Sequence, residues 1–70
     1  MERTAVQSSD LAIVGYDQKT LTLEVAFRNG GVYRYSEVPE YVHTSLMFAP
    51  SLGAYFKQNV KGKYPFEKVH

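Results

Sequence analysis

Catalysis needs particular side chains at particular spacings, and this chain of 70 residues offers few such sets. Its only imidazoles are His43 and His70, and the second is the final residue. Ser8, Ser9, Ser45 and Ser51 are candidate oxygen nucleophiles, but none stands in a Gly-x-Ser-x-Gly nucleophile elbow, and Ser51 reads better as a helix cap. No His-x-x-x-His pair occurs, and no cysteine. The carboxylates Asp10, Asp17, Glu24, Glu37, Glu40 and Glu67, with Glu2 at the start, are dispersed along the chain, which gives no acid–base pair and no metal-ligand set. The expectation is a protein without catalysis, cofactor or metal.

Binding chemistry is better represented. Residues 57 to 70 carry Lys57, Lys61, Lys63 and Lys68 against Glu67, a balance of +3, whereas residues 1 to 56 balance at −2. Cations that follow phosphates, together with aromatic faces that stack on bases, are how single-stranded RNA is held. The candidate contacts are Arg28 and Arg34 from a hairpin, and Lys57, Lys61 and Lys63 from a helix and its exit. Tyr55 and Tyr64 join them as the aromatics least committed by pattern to a core. Gly53, next to the cap at Ser51, leaves backbone N–H groups free at a helix start, an arrangement that suits an anion. The other binding chemistry is protein docking, through an exposed edge strand at Leu11 to Tyr16 or Val32 to Tyr35, or through aromatic surface around Phe48, Tyr55 and Phe66. Salt separates the two. Four lysines on phosphates give a log–log slope of roughly −3 on a single strand, while an aromatic docking face scarcely responds.

The elements that must position these residues start from one hairpin. Leu21, Leu23, Val25 and Phe27 alternate, then Arg28-Asn29-Gly30-Gly31 turns the chain, and Tyr33 and Tyr35 alternate again. A two-residue Asn29-Gly30 turn pairs Phe27 with Val32 and points both tyrosines outward. A three-residue turn with Gly30 left-handed in a bulge pairs Val25 with Tyr33 and Leu23 with Tyr35, and buries them. The bulged turn is favoured because it leaves Arg34 and Ser36 in water. Leu11 to Tyr16 reads as a preceding strand, with Tyr16 opposite Leu21 and Gly15 at a place where the backbone bends or is closely approached. Residues 1 to 10 read as a polar lead-in.

From Val38 the period becomes helical. Pro39 suits a first turn, and Val42, Leu46 and Ala49 give an apolar stripe on a helix from Pro39 to about Phe48, ended by Pro50. Ser51 caps a second helix with Leu52, Tyr55, Phe56 and Val60 at helical spacing, stopped by Lys61-Gly62-Lys63. Tyr64, Pro65 and Phe66 follow as an extended aromatic tail that can lie against the sheet. The expected fold is a single α+β domain, a three-stranded antiparallel meander covered on one face by two short helices, with an extended C-terminal tail. A domain this small buries only about 60% of its unfolded surface, so its ten aromatic residues are first of all core material.

Ser8-Ser9, Gly15-Tyr16-Asp17, Leu23 through Phe27, a turn glycine, Tyr33-x-Tyr35, Val38-Pro39, Ala49-x-Ser51-x-Gly53, Tyr55-Phe56, Lys61 and Tyr64 occur in that order. The succession resembles the KTSC domain, from about Val6 to Val69. That family takes its name from a segment at the C-terminus of some lysyl-tRNA synthetases and also occurs as a free-standing small bacterial protein. Its central Tyr-x-Tyr is matched by Tyr33 and Tyr35. Lys57 stands here where many members carry asparagine after the Tyr-Phe pair, with Asn59 two positions on. The resemblance implies RNA binding, of tRNA or single strands, and no known catalysis; Tyr33, Tyr35, Ser51, Gly53 and Phe56 enter it as structural motif residues. The start Met1-Glu2-Arg3-Thr4 has neither the basic nor the apolar region of a signal peptide, and the longest apolar run is too short to span a bilayer. A cytoplasmic protein with no membrane partner is expected.

Overall fold

A computed structural model describes all 70 residues. In chain order the elements are β1 (Glu2–Ala5), β2 (Leu11–Asp17), β3 (Thr22–Phe27), β4 (Val32–Tyr35), α1 (Glu40–Met47), α2 (Leu52–Asn59) and β5 (Phe66–Lys68). The strands form one antiparallel sheet of five, in the order β1-β2-β3-β4-β5. The expected meander of three is its centre, and the two added strands correct that expectation. The lead-in pairs Glu2 with Tyr16 and Ala5 with Ile13, and the tail pairs Phe66 with Tyr35 and Lys68 with Tyr33. Both added strands are short and exposed along their whole length. They are held by backbone pairing, and an all-exposed strand leaves no alternation of apolar residues to read.

At the centre the bulged turn is present. The Phe27 N–H donates to the Gly31 carbonyl at 2.8 Å, the Gly30 N–H donates to Phe27 at 3.0 Å, and Gly30 has a φ of 102°. Val25 therefore faces Tyr33 and Leu23 faces Tyr35, with Tyr35 only 4% exposed and Tyr33 half-buried. The β2–β3 register differs from expectation. Tyr16 pairs with Leu23 rather than Leu21, because the carbonyl of Leu21 accepts from the Val38 N–H and Leu21 leaves the strand with a φ of 56°. The displacement is two residues, so the faces are unchanged: Val14 is buried and Tyr16 packs against the core beside it. A bulge between Leu11 and Ile13 puts Leu11 and Val14, three positions apart, on the same buried face.

The helices differ from the expected boundaries only at their ends. Pro39 is the N-cap of α1 (φ −63°, ψ 153°), Phe48 is its C-cap, and Ala49 lies beyond it. Val38, Val42 and Leu46 enter the core. In α2 the Ser51 hydroxyl accepts from the Ala54 N–H at 3.3 Å, as expected of a cap; Phe56 is buried against Phe27 and Tyr35 of the sheet, and Gly53 is buried beneath Asp10. The helix closes at Val60, and Gly62 follows with a φ of 78°.

The other face of the sheet carries a charged row. Cross-strand pairing aligns Arg3, Gly15, Glu24, Arg34 and Glu67. Glu24 is 6% exposed and accepts from Arg3 Nε at 2.6 Å and from Arg34 Nε at 2.9 Å. Arg3 reaches it by crossing Gly15, where an added Cβ would lie 3.1 Å from Arg3 Cγ. That is the close approach anticipated at this glycine. The hydrogen bond from Arg3 outweighs the burial that opposes it and, with Arg34, holds the Glu24 carboxyl below the usual carboxylate range.

Two outcomes follow. Because the Glu24 carboxyl is depressed in the folded state, its contribution is present above the unfolded value of about 4.3 and is lost as pH falls through the folded value. Glu24→Gln is therefore expected to cost about 1–2 kcal/mol at pH 7 and progressively less below about pH 4, measured by urea unfolding at both pH values. Gly30→Ala meets no atom within 4 Å of its new Cβ, yet is expected to lose about 1–2 kcal/mol from the positive φ alone. A thermal unfolding scan checks it.

Candidate nucleic-acid interface

One open groove of about 890 Å³ lies where the hairpin turn, the residues before β2, the inner side of α2 and strand β5 meet. Its floor is aromatic. Phe27 meets Tyr33 edge-on at 5.6 Å between ring centroids, Tyr33 meets Phe66 at 5.8 Å, Phe66 meets Tyr35 at 5.5 Å, Tyr35 meets Phe56 at 5.4 Å, and Phe56 meets Phe27 at 5.4 Å. These five contacts close into a circuit. All five distances suit favourable ring–ring geometry, and all five residues line the groove. Three strands and one helix supply the rings, so the circuit also fastens α2 and β5 to the sheet. Phe66 is 57% exposed and presents aromatic surface to solvent, while Tyr35 and Phe56 are buried beneath.

The rim is cationic. Lys57 and Lys61, four residues apart, line the α2 side, and Arg28 lines the hairpin side. The Arg28 guanidinium donates to the carbonyls of Ser8 and Val6, which ties the chain before β2 to the turn and leaves its charge without a carboxylate partner. A carboxylate stands at the same rim. Asp10 lies over Gly53, where an added Cβ would come within 2.9 Å of Asp10 Oδ2, and Lys57 Nζ is 3.9 Å from that oxygen. The space that Gly53 opens at the start of α2 is thus taken by the chain's own carboxylate, which corrects the reading of a free anion site there.

The remaining candidates separate by position. Arg34 is on the opposite face of the sheet, paired with Glu24, because the register that buries Tyr33 and Tyr35 turns Arg34 away from them. Lys63 is exposed and does not line the groove. Tyr55 and Tyr64 also lie outside the groove lining, half-buried against the core, and burial together with neighbouring Tyr41 and Tyr55 pushes the Tyr64 phenol up. Tyr33 and Tyr35 belong both to the core and to the groove. Burial, with Tyr33 nearby, pushes the Tyr35 phenol up. Phe27, Phe66 and Asp10 were not singled out as RNA contacts from sequence. Phe27 had an alternation signal that assigned it only to the core; Phe66 and Asp10 sit in stretches without periodicity. His43 lies on α1, stacked on Tyr16 at 4.8 Å, with its pKa lowered by burial.

The KTSC domain model matches residues 7–64. An uncharacterized protein of Stutzerimonas stutzeri is 45% identical over 64 residues, covering 91% of this chain and 90% of that protein. A lysine–tRNA ligase of Nostoc punctiforme is 46% identical over 54 residues, which cover 77% of this chain but 10% of the ligase. The crystal structure of a KTSC domain protein from Yersinia pestis superposes with a TM-score of 0.96 at 39% identity, covering 99% of this chain and 97% of that one. The order of short motifs, the five-stranded sheet under two helices and these matches agree, and the chain belongs to the KTSC domain family.

Proposed function

We propose that this domain is a non-catalytic module that binds single-stranded RNA in the groove between the hairpin turn and α2. The observation that carries the reading is the joining, in one groove, of a five-ring aromatic floor with Arg28, Lys57 and Lys61 on its rim. Phosphates pair with the cations, whose side chains are long enough to follow a flexible backbone. A base stacks on Phe66, the ring of the circuit most open to solvent, for about 1–3 kcal/mol. A neutral aromatic floor attracts any base, and the rim cations supply affinity without sequence information. The similarity to a stretch within lysine–tRNA ligases fits an RNA partner, with tRNA as the natural source, and we place the domain with that partner in the cytoplasm. No helix of the chain is long and apolar enough to cross a membrane.

The alternative of protein docking has less support. Leu11 to Tyr16 and Val32 to Tyr35, the strands offered as open edges, are interior, covered by β1 and β5. Of the aromatic surface proposed around Phe48, Tyr55 and Phe66, Phe48 and Phe66 are exposed and Tyr55 is half-buried, and only Phe66 shares a groove with cations.

Fluorescence anisotropy with a labelled octauridylate tests the proposal. Lys57→Ala with Lys61→Ala is expected to weaken binding by about tenfold or more, and the wild-type log–log salt slope is expected near roughly −2 for three cations on a single strand. Lys63→Ala and Arg34→Ala are expected to change affinity less than about twofold, since neither side chain lines the groove. Unchanged affinity in the double variant would overturn the assignment.

A further inference from the structure

Asp10 is an anomaly in a groove for a polyanion. Its carboxylate is the only acidic side chain lining the groove, it is half exposed, and it accepts no hydrogen bond from the protein. Lys57, its ion-pair partner, stands 3.9 Å away, beyond hydrogen-bond distance. Backbone bonds fix the residue on both sides. Its N–H donates to the Ser8 hydroxyl at 3.2 Å, and its carbonyl accepts from the Arg28 N–H at 2.9 Å. Gly53 gives up a side chain inside α2, at a cost of about 1 kcal/mol in helix propensity, at the point where the carboxylate sits. A carboxylate held there repels phosphate, and its two oxygens can only accept hydrogen bonds.

Among the four RNA bases, guanine alone presents two adjacent donors on its Watson–Crick edge, N1–H and the 2-amino group. Adenine and cytosine each pair one amino donor with a ring acceptor, and uracil places its single N3–H between two carbonyls. A carboxylate that takes two parallel hydrogen bonds therefore matches guanine and leaves an unpaired or repelled atom against each other base. The groove holds the other parts of such a site: aromatic lining, with Phe27 on the strand that pairs with the residue next to Asp10, and lysines for the phosphate. Resting on the RNA-binding reading above, we propose that the groove selects an unpaired guanine, with the Asp10 carboxylate accepting from N1–H and the 2-amino group.

The test compares octaribonucleotides by anisotropy: U8, the same strand with one central guanosine, and that strand with inosine, which keeps N1–H but lacks the 2-amino group. Wild-type protein is expected to bind the guanosine strand about tenfold more tightly than U8, with inosine between them. In Asp10→Asn the guanosine preference is expected to vanish while U8 affinity stays equal or rises, because a repulsive charge has left the rim. A general loss of structure would weaken both strands together, so the opposite signs separate base reading from misfolding. Equal wild-type affinity for the three strands, or a preference that survives in Asp10→Asn, would overturn the guanine assignment while leaving RNA binding in place. Failure of every strand to bind would overturn both.

Discussion

Everything in this domain depends on the register of one hairpin. The Phe27 to Gly31 hydrogen bond and the positive φ of Gly30 commit the β3–β4 pair to a three-residue bulged turn. Side chains alternate along a strand, so this choice settles both faces of the sheet at once. Tyr33 and Tyr35 turn toward the helices, and Arg34, between them, turns away to meet Glu24. A slip of one residue would expose two aromatic rings, bury a guanidinium and leave Glu24 with one partner fewer.

The two faces then solve different problems. On the open face a nearly buried carboxylate is tolerated because two guanidinium groups reach it, one from the neighbouring β4 and one from β1 across β2, where a glycine leaves room. Satisfying Glu24 from both sides ties β1, β2, β3 and β4 together by side chains as well as by backbone pairing. On the covered face, apolar packing of Val38, Val42, Leu46, Phe56 and Val60 against the sheet leaves one end unfilled, between α2 and the hairpin turn. There the aromatic circuit serves as wall and floor together. A chain of this size has little apolar surface to spare, and the same rings that close its core also line its groove.

Charge divides along the same lines. The cations on the groove rim come from α2, its exit and the turn; those of the open face are spent on Glu24. Net charge near zero therefore conceals a local separation, with Arg28, Lys57 and Lys61 gathered on one side and interrupted by Asp10 alone. Such an arrangement combines attraction for a phosphate backbone with a discriminating acceptor at one point.

Much was legible in the residues themselves. Alternation, the Arg28-Asn29-Gly30-Gly31 turn, the Ser51 cap and the helical stripe through Val42 and Leu46 are local signals, because each is written in the spacing of a single element. They were enough for the central meander, the two helices, the tyrosine orientation and the family. Edge strands β1 and β5 escaped, since a short exposed strand is defined by partners far along the chain and shows no alternation of apolar side chains. The lysines separated for the same reason. Lys57, Lys61 and Lys63 look alike as a cluster in sequence, but the turn of α2 and its exit bring only the first two to the groove. Phe27, Phe66 and Asp10 come together from three distant segments, and only the closing of the sheet around the helices makes them neighbours of one site.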